Sequence, residues 1–234
     1  MKKRTIVIFL LLAIMLVLCI TMTFFTLTFY KKYCLLRMDP LGLNTAASAN
    51  PEHSTYDFIL IGDSLIANWN PAGYKILNLG IPSQTSAQVL HRMQIFDADI
   101  SAERIIICAG GNDLKILRVL PENSEAIVEN TVQNIEDIIS VVENKSSKIY
   151  ILTIPPIYNV PVYLKPFKST KALLSSLDAI NMRLKTELSG NNITVIDVEK
   201  IISPLERTEV YASDGIHLSQ KAYDKILNAI TKDN

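Results

Sequence analysis

The stretch YDFILIGDSLIANW, Tyr56 to Trp69, runs apolar from Phe58 to Ile61 and then stops at a glycine, an acid and a serine. Four apolar residues are too few for a helix, and nothing alternates within them. That is the pattern of a strand covered on both faces. Similar short, β-branched runs follow at Ile76–Leu79, Ile105–Cys108, Ile149–Ile154 and Ile193–Val198. Between them lie helical patterns at Ala87–Phe96, Ser124–Val142, Thr170–Leu188 and Gln220–Ile230, the last with Ser219 as a natural N-cap. Strands alternating with helices predict a parallel five-stranded sheet in a three-layer α/β/α sandwich.

In such a sheet, ligands bind beyond the carboxyl ends of the strands. The residues just after each run therefore carry the information. They are Gly62-Asp63-Ser64, Gly80-Ile81-Pro82, Gly110-Gly111-Asn112-Asp113 and Pro155-Pro156, with Asp214-Gly215-Ile216-His217 between the fifth run and the last helix.

A serine hydroxyl becomes a useful nucleophile only when a base takes its proton, and a neutral imidazole suits that task near neutral pH. His217 is the one histidine of three in such a loop. Asp214, three residues earlier, can accept from one ring nitrogen and turn the other toward Ser64. The chain order is then serine, aspartate, histidine. An oxyanion needs donors, and the backbone N–H of Ser64, the backbone N–H of Gly80 and the Asn112 carboxamide are candidates. Asp63 and Asp113 read as turn-holding residues. His91 reads as an ordinary helix residue, His53 as solvated in a polar linker, and Trp69 with Asn70 as packing or pocket edge.

These residues resemble the SGNH hydrolases, the GDSL esterase/lipase family. The resemblance rests on Gly62-Asp63-Ser64-Leu65, Asn78-Leu79-Gly80, Gly110-Gly111-Asn112-Asp113 and Asp214-Gly215-Ile216-His217, in that order over Tyr56 to Ile230. It implies a flavodoxin-like fold and a cofactor-free, metal-free serine esterase. Ser64, Asp214 and His217 would be catalytic, and Ser64, Gly80 and Asn112 would form the oxyanion hole. LNLGIPSQTSAQVLHRM is most similar to the branch of platelet-activating-factor acetylhydrolase-like proteins and carbohydrate esterases. Many of that branch carry a Gly-Asp-Thr-like turn where this chain has Ser83-Gln84-Thr85.

The expected activity is hydrolysis of short acyl esters, chiefly acetyl, on a carbohydrate or lipid. Capture of the same acyl-serine by a sugar hydroxyl makes O-acyl transfer to a cell-envelope polysaccharide the alternative. A non-catalytic glycan- or lipid-binding module is the third reading. Pro155 to Lys171, with Tyr158, Tyr163 and Phe167 beside Lys165 and Lys168, has the composition of a lid or of a plain connection.

Charge is balanced, 23 basic against 23 acidic residues, which argues against a nucleic-acid partner. Protein partners leave no signature. Cys19, Cys34 and Cys108 suggest no disulfide and no zinc spacing. Asn144 and Asn192 open glycosylation triplets that matter only in a eukaryotic secretory route.

Ile6 to Phe29 carries no charge and follows Lys2-Lys3-Arg4. As a helix it would span about 36 Å, against a hydrocarbon core of about 30 Å. It exceeds a signal-peptide apolar region, and Ala47-Ser48-Ala49 lies far beyond it. Leu18 before Cys19 is too bulky for a lipoprotein site. The expectation is an anchor over 1–32, a linker over 33–55 and a hydrolase domain over 56–234. The short basic end would face the cytoplasm and the domain the outside, although Lys31, Lys32 and Arg37 counterbalance that bias.

Overall fold

The computed structural model describes residues 2–43, 54–96, 99–156 and 170–232. The chain divides into two compact units, Met1–Thr45 and Ala46–Asn234. The first holds a single long helix, α1 (Lys2–Met38), which continues past the apolar stretch through Lys31, Lys32 and Arg37. Its apolar side chains from Ile6 to Phe29 are exposed along its length. It is long and apolar enough to cross a membrane.

The second unit is built on five parallel strands: β1 (Ser54–Gly62), β2 (Ile76–Gly80), β3 (Ile100–Cys108), β4 (Ser146–Leu152) and β5 (Ile193–Ile196). They lie in the order β2-β1-β3-β4-β5. The register aligns Gly62 with both Gly80 and Cys108, so β1, β2 and β3 end at one level.

Successive side chains of a strand point to opposite faces, and both faces here are covered. Ile59, Ile61, Ile105, Ile107, Ile149 and Ile151 enter one core, with buried residues of α3 (Ser86–Ile95), α4 (Ser124–Val142) and α5 (Thr170–Glu187). Phe58, Leu60, Ile106, Cys108, Tyr150 and Leu152 enter the other. There they meet Trp69, α6 (Val198–Ile202) and α8 (Gln220–Lys232). This explains why the runs read as unbroken apolar stretches. The architecture is the expected three-layer sandwich. Cys108 is a buried core residue, and burial pushes its thiol well above the ordinary value.

Several boundaries differ from the sequence expectation. β3 begins at Ile100, where buried Ile100 and Ala102 alternate with exposed Ser101 and Glu103. β4 begins at Ser146, whose hydroxyl donates to the Glu103 carbonyl at 3.0 Å, and it ends at Leu152. β5 stops at Ile196 because Asp197 caps α6, accepting from the Lys200 N–H at 3.2 Å. The strand order reverses between β1 and β3, the place beyond the carboxyl ends where such sheets bind ligands.

Candidate active site

β1 delivers the chain into a very short helix, α2 (Ser64–Ala67), capped by Asp63, whose Oδ1 accepts from the Leu65 N–H at 2.9 Å. Gly62 is required immediately before this turn. A Cβ there would sit 2.0 Å from the Cys108 carbonyl oxygen. Gly80 meets a similar constraint at the end of β2, where a Cβ would lie 2.3 Å from the Ala67 nitrogen. Two glycines thus let β3 and β2 close around the serine turn. Ser64 occupies the first helical position, whose N–H has no acceptor within the helix.

Asp63 is 3% exposed. Burial, the largest influence, pushes its carboxyl up to about 6, although the Leu65 N–H and the charges of Lys115 and His217 favour ionisation. Its Oδ2 accepts from Asn112 Nδ2 at 3.0 Å. Asp63 therefore holds the turn, as expected, and also links it to the loop after β3.

Asn112 is bound at both ends. Besides Asp63, Nδ2 donates to the Gln84 carbonyl at 2.8 Å, while Oδ1 accepts from Lys115 Nζ at 2.5 Å. Both amide hydrogens thus have protein acceptors in this resting arrangement. The Gly80 N–H is likewise engaged, donating to Asn78 Oδ1 at 2.9 Å. The candidate donor at Gly80 is thus occupied, because Asn78, two residues earlier, bends back to it. Asn78 Nδ2 in turn donates to the carbonyls of Ile66 and Trp69, which fastens β2 to α2.

His217 lies on the loop before α8. Its Nδ1 is 2.5 Å from Asp214 Oδ2, and Asp214 Oδ1 accepts from the N–H groups of Ile216 and His217 at 2.9 and 3.0 Å. The His217 hydrogen bond comes first among the causes that hold the Asp214 carboxyl down at about 2. An ionised carboxylate can only accept, so Nδ1 carries a proton, and in the neutral ring Nε2 presents its lone pair. Among the described residues, neither Ser64 Oγ nor His217 Nε2 is hydrogen-bonded to a partner. No direct bond yet joins the two.

The loop is fixed by tertiary contacts. Tyr211 and Leu218 form a bridge, and the Ala212 N–H donates to the His217 carbonyl at 2.8 Å. The Tyr211 hydroxyl donates to the Pro156 carbonyl at 2.6 Å, beyond the end of β4. Ser219 Oγ caps α8, accepting from the Ala222 N–H at 3.2 Å. The Tyr223 hydroxyl then donates to the Leu65 carbonyl at 2.6 Å, and its ring stacks on Trp69 at 5.3 Å. Burial raises the Tyr223 hydroxyl pKa, so it stays a donor. The helix that follows His217 is thereby bound to the helix that carries Ser64.

Asp113 accepts from the Ser86 N–H at 2.8 Å and from Ser86 Oγ at 2.6 Å, a support for α3. Ser83 takes a left-handed backbone, φ 70°, which glycine adopts at lower cost. Gln84 is buried and accepts from Arg92 Nε at 3.1 Å; burial draws the Arg92 guanidinium down to about 10. His91 is exposed on α3 and Trp69 is a packed core ring. His53 and most of the Pro155–Lys171 segment fall outside the described residues.

Sequence reasoning missed Tyr223 and Lys115, and noticed Gln84 only as part of the Ser83-Gln84-Thr85 turn. Tyr223 and Gln84 act through contacts with other elements and leave no local signal. Lys115 was within reach, because it stands three residues after Asn112 on the 3₁₀ turn Asp113–Arg118.

Residues 60–225 match the GDSL-like lipase/acylhydrolase family. No curated protein matches the chain. Among solved structures, it is similar to a GDSL-like lipase from Bacteroides thetaiotaomicron, at 22% identity, TM-score 0.52, over 83% of this chain and 95% of that one. It is also similar to a Streptococcus pneumonia protein provisionally named as a platelet activating factor, at 16% identity, TM-score 0.57, over 89% and 97% of the two chains. An acetylxylan esterase from Geobacillus stearothermophilus aligns at 14% identity, TM-score 0.51, over 75% and 92%.

Proposed function

Because this chain belongs to the GDSL-like lipase/acylhydrolase family and is a serine hydrolase, we propose that it removes short acyl groups, chiefly acetyl, from a carbohydrate or lipid. Ser64 is the nucleophile, His217 the base and Asp214 its orienting partner. The observation that carries this reading is the Asp214–His217 pair, closed at 2.5 Å and leaving one imidazole nitrogen unengaged.

In the reaction, Ser64 Oγ attacks the ester carbonyl as its proton passes to His217 Nε2. The Ser64 N–H meets the oxyanion first, since it gives up no internal bond. Asn112 and Gly80 join by exchanging a present acceptor for the oxyanion. The imidazolium, steadied by Asp214, protonates the departing alcohol oxygen and leaves an acyl-Ser64 ester. Water then attacks that ester, its proton going to His217; Ser64 leaves with that proton returned, and the carboxylic acid is released and ionises in solution.

The acyl class follows the acetylxylan esterase among the structural relatives. The apolar α1 supports a substrate at the membrane surface, with an anchor over 1–32, a linker over 33–55 and the hydrolase domain outside the cell. The test is fluorophosphonate labelling with peptide mass mapping, alongside hydrolysis of acetylated xylan, acetyl-glycan and lysolipid substrates. Label at Ser64 that is absent from Ser64→Ala and falls sharply in His217→Ala, with acetyl ester turnover, is expected. Folded protein that neither labels nor turns over any ester would overturn the reading.

A further inference from the structure

The partners of the Asn112 carboxamide differ in kind at its two ends. Its nitrogen faces two acceptors, Asp63 Oδ2 at 3.0 Å and the Gln84 carbonyl at 2.8 Å, and its oxygen faces Lys115 Nζ at 2.5 Å. An ammonium has donors and no acceptor. Lys115 therefore reads only the oxygen end and, with the two acceptors, permits one orientation of the amide. Lys115 is itself exposed, so its charge carries little burial cost. Its field nevertheless reaches the buried side of the site, where it favours ionisation of Asp63.

We propose that Lys115 is a positioning residue for the reaction, acting through Asn112 to strengthen that amide as an oxyanion donor. The inference rests on the reading of Asn112 as part of the oxyanion hole. When negative charge grows on the substrate carbonyl oxygen, an N–H of Asn112 donates to it and amide electron density shifts toward Oδ1. The ammonium on Oδ1 stabilises that shift, because charge-assisted and chained hydrogen bonds reinforce one another at low dielectric. No proton moves between Lys115 and Asn112. The neutral ester of the ground state draws much less on this relay than the transition state does. Lys115 consequently affects turnover rather than substrate binding.

The test uses the full chain in detergent with p-nitrophenyl acetate as a small uncharged ester. Steady-state constants and thermal midpoints are compared for Lys115→Met, Lys115→Arg, Asn112→Ala and the Lys115→Met/Asn112→Ala double variant. Ser64→Ala is the control. Removing a whole oxyanion donor costs about 10²–10³ in turnover, so loss of its polarising partner is expected to cost on the order of tenfold in kcat. KM and the thermal midpoint should hold, Lys115→Arg should recover most of the rate, and Lys115→Met should add little once Asn112 is gone.

An unchanged kcat, an effect confined to KM, or an equal loss with and without Asn112 overturns the role of Lys115. Failure of the underlying reading looks different: Asn112→Ala would then turn over like the wild type, or Ser64→Ala would remain active.

Discussion

Asp63 makes the stability of the hydrolase unit depend on pH in a direction opposite to that of most carboxylates. Its folded pKa of about 6 lies above the ordinary value of 3.8, mainly because the ionised form is buried. Between those two values the native state binds more protons than the unfolded chain. Stability at this site is thus fully present below the unfolded pKa and is lost as pH rises through about 6. At 1.36 kcal/mol per unit, raising the pH from about 4 to about 7.5 removes roughly 2 kcal/mol.

Asp63→Asn isolates this contribution. Asparagine does not titrate, but it sets its own amide against that of Asn112 and so adds a penalty that is nearly constant with pH. The informative quantity is therefore the change with pH of the difference between variant and wild type. The assay is urea unfolding of the Ala46–Asn234 unit at several pH values. The only tryptophan, Trp69, is 1% exposed beside α2, so its fluorescence reports the transition. Relative to wild type, the variant should gain roughly 2 kcal/mol over that range with similar m-values. A difference that stays flat across the range would show that Asp63 titrates normally in the native state and would refute the reasoning.

Three further outcomes follow from the same contacts. Gly80→Ala forces a methyl against the α2 backbone, 2.3 Å from the Ala67 nitrogen. It should destabilise by about 1–3 kcal/mol in the same unfolding assay and reduce fluorophosphonate labelling of Ser64. Tyr223→Phe keeps the ring on Trp69 but removes the hydrogen bond to Leu65; a loss of about 1 kcal/mol in stability is expected, together with a lower kcat from a looser α2. Asp214→Asn should lower kcat by about 10²–10⁴ with KM little changed, since a neutral amide no longer fixes the tautomer or steadies the imidazolium; steady-state kinetics with an acetyl ester checks it.

The parts of the molecule legible in sequence are those whose cause is local. Phe58–Ile61 and Ile105–Cys108 read as buried strands because both faces of the sheet are covered, and parallel topology then placed Ser64 and Asn112 after strand ends, with His217 in the loop before the last helix. Ser219 read as a cap because the serine immediately precedes its helix. The short α7 (Arg207–Val210) escaped notice although its start is held locally, the Glu206 N–H donating to Glu209 Oε2 at 3.1 Å. The engagement of Gly80 by Asn78 was equally local, but it depends on a rotamer that no residue pattern specifies. The bond between Arg92 and Gln84 depends on how α3 lies on the sheet, and the bond between Tyr223 and Leu65 joins residues 158 apart. Periodicity carries no trace of such contacts.

That last separation has a consequence for how the protein is made. The ribosome delivers the serine turn early and the histidine loop with its α8 brace much later. On the proposed roles, a nascent chain displays Ser64 for most of its synthesis as an ordinary alcohol. Reactivity arrives only when the His217 loop and α8 have packed against α2, so an unfinished or C-terminally clipped chain would carry the nucleophile without the means to use it.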